Sequence, residues 1–445
     1  LVCISSGLNS LATVGLEAGL VSSIGLSSTR FLDLAMSADK KHKNPYPRNA
    51  RLGRRKDLLV MEHKTPRILI VTAAFGEGHN SAARHLALAL ESAGAIARVA
   101  DPCLLGLPGF TALVNRAYRI VTERFPWLWG RIYRSADRCD FSRRRLPVMR
   151  VPERMLDALI DEFRPSALVT TYPIYPYFMK RIPQGVRGAL PVFIVVTDSI
   201  EINAAWTRAP GDWWLVTDAF TRDRMVAAGS DPRNVVDTGF PVHPVFASLT
   251  RLAADAEVMP FRVLYFATAN ASMLAKHGRA LLSASPVVRL TIVLGRNARR
   301  LCPAALRLKR EHPGRVRLLG WTRRVPQLLA SHHLAVGKAG GATVHEAIAA
   351  CCPMLIHHLV PGQEEGNLRL LELIGGGALA DSPAGMKRRV ESMLADDAAL
   401  WRGMKHALAR HARDSGASMA ARFILQNTPA AGGNDGGSIH PAFHP

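Results

Sequence analysis

Short apolar runs recur along this chain, and each is followed by a turn and then by a helical segment. The first is Ile68-Leu69-Ile70-Val71. An unbroken β-branched run of this length reads as a strand buried on both faces. Residues 167–171, 192–196, 214–216 and 234–237 continue the series, with Val99 in a further short strand. A second series begins at 263–266 and runs through 291–294, 316–319, 334–336, 354–356 and 378–380. Strands separated by helices argue for parallel sheets. At 445 residues the chain has room for two such units. Between them, Gly239-Phe240-Pro241-Val242-His243-Pro244 breaks both periods and reads as a hinge. The expected fold class is therefore α/β, with two doubly wound domains at 67–244 and 245–426 facing across a cleft, the final helix either staying with the second or returning to the first. Residues 1–66 are set apart as a disordered or basic N-terminal extension, and 427–445 as a disordered tail rich in Gly, Asn and Pro.

Open α/β sheets bind ligands just past the carboxyl ends of their strands. Two stretches of the second series carry polar chemistry there. Gly337-Lys338-Ala339-Gly340-Gly341-Ala342-Thr343-Val344-His345-Glu346 follows one strand, and Pro361-Gly362-Gln363-Glu364-Glu365-Gly366-Asn367 follows the next. Gly340 and Gly341 let backbone approach a ligand, and the helix starting there offers free N–H groups to phosphate. Glu346, one turn in, can accept two ribose hydroxyls, while Gln363, Glu364 and Asn367 suit sugar hydroxyls. Phosphate, ribose and hexose together describe a nucleotide sugar. The plain alternative is two glycine turns of any doubly wound domain. In the first series, Gly76-Glu77-Gly78-His79-Asn80-Ser81 partly matches a dinucleotide fingerprint, with Asp101 at the distance of a ribose ligand, so a dehydrogenase competes. Ser81 stands in place of the third glycine, however, and His79 would crowd a pyrophosphate.

The stretch from Lys338 to Glu346 and that from Pro361 to Asn367 resemble the donor-site signatures of the monogalactosyldiacylglycerol synthase and processive diacylglycerol glycosyltransferase family. That family is related to the transferase that adds N-acetylglucosamine during lipid II synthesis. The resemblance runs from about Arg67 to about Ile424. It implies the two-domain GT-B fold, with an N-terminal acceptor domain and a C-terminal donor domain. It implies Lys338, Gly340, Gly341, Thr343, Glu346, Gln363, Glu364 and Asn367 as donor-binding residues, joined by Arg296 and Asn297 at a family Gly-x-Asn position. The Gly76, Gly78 and Asn80 loop stands where the family carries Gly-Gly-Gly-His, and His79 occupies the place of the favoured base. Histidine suits that task because its ordinary pKa lies near working pH. Asp198, after the strand 192–196, is the second candidate, as orienter of His79 or as an acceptor contact. There are departures. Glu77 replaces a family glycine, Tyr172-Pro173 stands for His-Pro, and Asn203 precedes Trp206 with no histidine between. Phe266 to Ser272 replaces a glycine-rich diphosphate loop, leaving Thr268, Asn270 and Ser272 as donors.

A net charge of +22 implies an anionic partner, either a membrane surface or nucleic acid. No stretch reaches the ~18 uninterrupted apolar residues of a membrane span. The run Lys40, Lys41, Lys43, Arg48, Arg51, Arg54, Arg55 and Lys56 is either a solvated tail or an electrostatic tether to anionic lipid. Residues 110–145 interleave Phe110, Tyr118, Phe125, Trp127, Trp129, Tyr133 and Phe141 with arginines from Arg116 to Arg145, which suits a headgroup interface first, and also stacked single-stranded nucleic acid or a plain basic surface on core helices. The six cysteines show no CxxC or metal spacing, and Cys351-Cys352 at a helix end reads as packing in a reduced cytosol. No Asp-x-Asp dyad marks a metal site. The combined reading is an inverting glycosyltransferase at the inner face of the cell membrane, cytoplasmic and peripheral. It moves a hexose from a UDP-sugar to a lipid such as diacylglycerol, without cofactor, metal or nucleic acid. The alternatives are N-acetylglucosaminyl transfer to a polyprenyl-linked acceptor, or a nucleotide- or lipid-binding protein without catalysis.

Overall fold

The computed structural model describes residues 65–73, 77–136, 147–181, 190–268, 270–362, 364–412 and 415–429. Two six-stranded parallel sheets form its frame. The first comprises β1 (Arg67–Val71), β2 (Ile96–Ala100), β3 (Ala167–Thr170), β4 (Val192–Val195), β5 (Trp213–Val216) and β6 (Val235–Asp237), in the order β2-β1-β3-β4-β5-β6. The second comprises β7 (Phe261–Phe266), β8 (Val288–Val293), β9 (Val316–Leu319), β10 (Leu334–Lys338), β11 (Met354–His358) and β12 (Gly377–Leu379), in the order β12-β11-β10-β7-β8-β9. The central strands β3 and β4 are buried along their whole length, as the continuous apolar runs require.

Both strand orders reverse at one place, and that place positions the site. In the first sheet β1 lies between β2 and β3; in the second β7 lies between β8 and β10. Chain leaving the two strands that flank each reversal departs in opposite directions, which opens a crevice. His79 and Thr171 follow β1 and β3, while Thr268 and Gly341 follow β7 and β10. His79 and the turn at Gly340-Gly341 therefore stand at the two switch points, and the stretch from Pro361 to Asn367 follows the adjacent strand β11.

The last helix, Gly416–Gln426, packs on the first domain, burying Ala417, Ala420, Ala421 and Ile424 in one cluster with Leu86 and Leu90 of the helix Glu77–Ser92. The aromatic and arginine region forms two helices, Pro108–Arg124 and Pro126–Ala136. It does not turn all its rings outward, and this corrects the sequence reading. Trp129 and Ile132 are buried against Val360 of the second domain, with Tyr118 and Tyr133 packed beside them. Phe125, Trp127 and Ile120 are exposed. The reason is periodicity: Trp127 and Trp129 are two residues apart and so point to different sides of a helix. Arg138, Phe141, Arg143 to Arg145 and both terminal segments lie outside the described residues. Among the described residues no helix is long and apolar enough to cross a membrane. Cys351 and Cys352 are buried, as expected of packing.

Candidate active site

His79 sits on the first turn of the helix Glu77–Ser92 and is 8% exposed. Its Nδ1 lies 2.8 Å from the Thr171 carbonyl and 2.8 Å from Thr197 Oγ1. A carbonyl can only accept, so Nδ1 carries the proton and Nε2 keeps its lone pair. Among the described residues Nε2 has no hydrogen bond. Burial lowers the ring's pKa to about 4, against the pull of the Thr171 carbonyl, so the imidazole is neutral near pH 7. The Tyr172 ring meets it edge-on at 5.1 Å, which is what the replacement of His-Pro by Tyr172-Pro173 supplies. The ring is thus fixed in the form a general base requires, with one nitrogen free.

Asp198 does not orient this histidine, which corrects one of the two roles expected of it. Its Oδ2 accepts from Trp206 Nε1 at 2.7 Å. Burial pushes its carboxyl up to about 6, against that hydrogen bond. The orienting groups are instead Thr171 and Thr197, which follow the neighbouring strands β3 and β4. Asn80 also turns inward: its Oδ1 accepts from Thr72 Oγ1 at 3.1 Å, and Thr72 in turn accepts from Thr171 Oγ1 at 2.9 Å. Asn80 thereby fastens the base's loop rather than lining the acceptor side. Gly78 has open space where a Cβ would stand, and Gly76 lies outside the described residues.

On the donor side, Gly340 caps the helix Gly341–Ala349 with no side-chain cap, which leaves the first N–H groups of that helix without intrahelical partners. Thr343 is half-buried on its first turn. Lys338 Nζ lies 2.7 Å from Glu364 Oε1, and Glu364 Oε2 accepts from the Val360 N–H at 3.1 Å. The expectation that Glu364 holds sugar hydroxyls is corrected: the carboxylate is 5% exposed and both oxygens are taken, as a buried charge demands. Its work is to tie the turn after β10 to the turn after β11. Burial opposes the charge on Lys338, but the Glu364 carboxylate offsets this and holds its pKa above the ordinary value. Asn367 donates Nδ2 to the Ala339 carbonyl at 3.0 Å, and its buried Oδ1 has no partner among the described residues. An unmet buried acceptor at this turn is a place for a ligand hydroxyl. Gln363 lies outside the described residues. Glu346 is half-buried, and burial raises its carboxyl to about 7, with Arg84 of the first domain opposing.

Arg296 was expected on phosphate. Here its Nη1 pairs with Glu77 Oε1 at 2.6 Å across the cleft, and both side chains are exposed. Exposed pairs of this kind are worth about 0–1 kcal/mol, so a phosphate can replace the carboxylate. Glu77, the departure from the family glycine, thus occupies the guanidinium. Asn297 is exposed and makes no capping bond. After β7, Asn270 Oδ1 caps the helix Ala271–Ala284 by accepting from Met273 N at 3.0 Å, and Thr268 Oγ1 turns to Met273 Sδ. The loop therefore presents a helix N-terminus in place of the missing glycines; Ala269 lies outside the described residues.

The two halves meet at Thr197. Its hydroxyl holds His79, and its carbonyl would stand 3.0 Å from a Cβ placed on Gly341. A side chain at Gly341 would press on this carbonyl, so the donor turn lies close against the residue that holds the base. Gly366 is under a harder constraint, since a Cβ there would collide with the Ser199 carbonyl. Ser199 Oγ also reaches His345 Nε2 at 2.9 Å, and His345 stacks on Phe240 at 4.8 Å. Between them Ile200, a β-branched residue, is held at φ 56° with its N–H on Thr221 Oγ1. Left-handed backbone at such a residue is strained, and it persists where surrounding contacts fix it. The motif reading did not single out Thr171, Thr197 or Ser199; hydroxyl residues directly after predicted strands were the available signal.

The monogalactosyldiacylglycerol (MGDG) synthase family model matches residues 79–242, the first domain from His79 to the hinge. Over most of the chain there are also curated relatives. Processive diacylglycerol beta-glucosyltransferase of Bacillus subtilis (strain 168) is 24% identical over 383 residues, covering 81% of this chain and 94% of its own. Its counterpart in Bacillus licheniformis is 24% identical over 382 residues, covering 81% and 95%. The chain is a relative of the MGDG synthase family. Solved structures show the fold of this relative. MurG of Acinetobacter baumannii superposes with a TM-score of 0.52 at 14% identity, covering 81% of this chain and 100% of that one. Medicago truncatula UGT71G1, complexed with UDP-glucose, gives 0.54 at 12% identity, covering 82% and 99%. MnaA of S. aureus, solved with UDP, gives 0.51 at 12% identity, covering 81% and 95%. The architecture is GT-B.

Proposed function

We propose that this protein is a UDP-sugar-dependent hexosyltransferase of glycolipid synthesis, acting on diacylglycerol or a closely similar lipid. The observation that carries the reading is the junction at Thr197, where one residue positions a neutral histidine with a free Nε2 and abuts the donor turn at Gly341. His79 Nε2 takes the proton of the lipid hydroxyl as its oxygen attacks the anomeric carbon. The bond to the diphosphate breaks on the opposite face, which inverts the configuration. The leaving UDP is met by Lys338, by Arg296 once freed from Glu77, and by the N-termini of the helices Gly341–Ala349 and Ala271–Ala284, so no metal is required. The ribose lies against Glu346, and Asn367 Oδ1 accepts from a sugar hydroxyl. The acceptor is supported by the curated relatives, named as diacylglycerol glucosyltransferases. A peripheral site at an anionic membrane is supported by the exposed Ile120, Phe125 and Trp127 beside Arg116, Arg119, Arg124 and Arg131. In a cell that surface is the inner face of the cell membrane.

Product analysis tests this. The protein is mixed with UDP-glucose, UDP-galactose or UDP-N-acetylglucosamine and diacylglycerol vesicles, with a polyprenyl-diphosphate acceptor in parallel, with and without EDTA. The expected product is a glycosyldiacylglycerol of inverted anomeric configuration, formed equally with the chelator. Transfer only to the polyprenyl acceptor, a retained configuration, or loss of activity in EDTA would each overturn the corresponding part.

A further inference from the structure

The outer strands of the second sheet carry a second place for an anion. A hollow of about 950 Å³ lies on one face of β8 and β9, against the helix Val325–Ser331. Thr291 pairs with Arg317 across the parallel ladder, and Arg289 lies two residues before Thr291, so strand alternation brings all three to that face. Among the described residues, six arginines and one lysine line the hollow, and no carboxylate does. Of these, Arg262, Arg289, Lys309, Arg315, Arg317 and Arg324 enter none of the ion pairs among the described residues. Some are held by carbonyls instead. Arg262 Nε donates to Ser331 at 2.9 Å, Arg289 Nη1 to Pro286 at 2.9 Å, and Arg315 Nη2 to Leu282 at 2.6 Å and Ser285 at 2.7 Å. Such bonds fix guanidinium groups in place and supply no counter-charge. Burial and then Arg289 hold Arg315 below its ordinary value, and burial, against the pull of the Leu328 carbonyl and with Arg262 and Arg317 nearby, lowers His332 to about 4. Like charges gathered in a concavity focus potential on anything that enters.

None of Thr268, Arg296, Gly341, Glu346 and Asn367 lines this hollow, so it is not the donor site. Its volume exceeds a single phosphate and falls in the range of small-molecule sites. Among the described residues no Phe, Tyr or Trp lines it, and the His332 ring is buried and held by the Leu328 carbonyl and Thr291 Oγ1, so no exposed ring offers a base a face to stack on. A walled concavity also suits a ligand that enters from solution better than a headgroup tethered to a bilayer, which a protruding face such as Phe125 and Trp127 serves. We propose that this hollow is a binding site for a soluble, multiply phosphorylated anion, an oligophosphate rather than a nucleotide, separate from the donor site.

Calorimetry tests it, with sodium tripolyphosphate titrated into the full chain already saturated with UDP. One saturable event is expected, weakening as salt rises. Arg317 and Arg324 are exposed and their guanidinium groups make no hydrogen bond among the described residues, so the double variant Arg317→Gln/Arg324→Gln keeps its fold. It should bind tripolyphosphate about tenfold or more weakly, through loss of two charge-assisted contacts, with UDP affinity unchanged. Absence of a saturable event, or equal binding by wild type and variant, overturns the proposal. So does a hollow that responds only to phosphatidylcholine vesicles carrying phosphatidic acid and not to tripolyphosphate, since that would make the ligand a headgroup.

Discussion

Replacing His79 by asparagine separates the chemistry of this residue from its place in the fold. In the wild type, Nδ1–H donates to the Thr171 carbonyl at 2.8 Å and Nε2 is free. An asparagine side chain can put its Nδ2 near the position of Nδ1, so the buried carbonyl stays satisfied; the atom in the Nε2 position is lost. Alanine removes both, and leaving a buried acceptor unmet costs about 1–3 kcal/mol of stability. His79→Asn should therefore lose about 1 kcal/mol or less, whereas His79→Ala should lose more, as read by urea denaturation. Turnover should fall in both by a factor of about 100 or more, the usual contribution of a positioned base. That is roughly 2.7 kcal/mol or more of lost transition-state stabilisation. UDP affinity, by calorimetry, should stay within about twofold, because the ring touches the acceptor side. The assay is initial-rate transfer to diacylglycerol vesicles at saturating UDP-sugar. If His79→Asn turns over within a few-fold of wild type, the free Nε2 is not the base, and Asp198 takes its place as the candidate.

Asp198, raised to about 6, should give kcat/KM an acid limb near that pH, with activity falling below it, whereas neutral His79 titrates only near 4. Asp198→Asn should abolish the limb near 6. Because the folded carboxyl binds its proton more tightly than the unfolded one, ionisation costs stability as pH rises from the ordinary carboxylate range through 6, so the same variant should show a higher Tm than wild type above pH 6; a limb that persists in the variant refutes the assignment. Glu346→Ala should weaken UDP binding by about 1–3 kcal/mol through loss of a ribose acceptor, and unchanged affinity by calorimetry would remove Glu346 from the site. Trp127→Ala should reduce co-sedimentation with anionic vesicles by about tenfold with little change in Tm, since the ring is exposed. Trp129→Ala should do the reverse, costing about 3 kcal/mol of stability, since it is buried against Val360; equal vesicle losses in the two variants would refute the orientation of that helix.

The apolar runs were enough to place twelve strands' worth of alternation in two series, because a parallel strand is buried on both faces and its sequence says so without reference to any partner. The donor turns were legible for a similar local reason: Gly340 and Gly341 announce a close approach whatever lies opposite. The sequence could not say what lies opposite. That Gly341 abuts the Thr197 carbonyl and Gly366 the Ser199 carbonyl depends on how two separate sheets face one another. The same holds for Glu364, whose carboxylate reads as a ligand for sugar until Lys338 and the Val360 N–H are seen to claim it. Arg296 and Glu77 are over two hundred residues apart and each has a reasonable local role; only the cleft makes them a pair. The orientation of His79 likewise rests on Thr171 and Thr197, which follow different strands of the first sheet. A residue's type and local period are properties of the chain. Which nitrogen is free, which carboxylate is spent and which arginines stand without a counter-charge are set by distances between segments remote in sequence, and only tertiary packing fixes those.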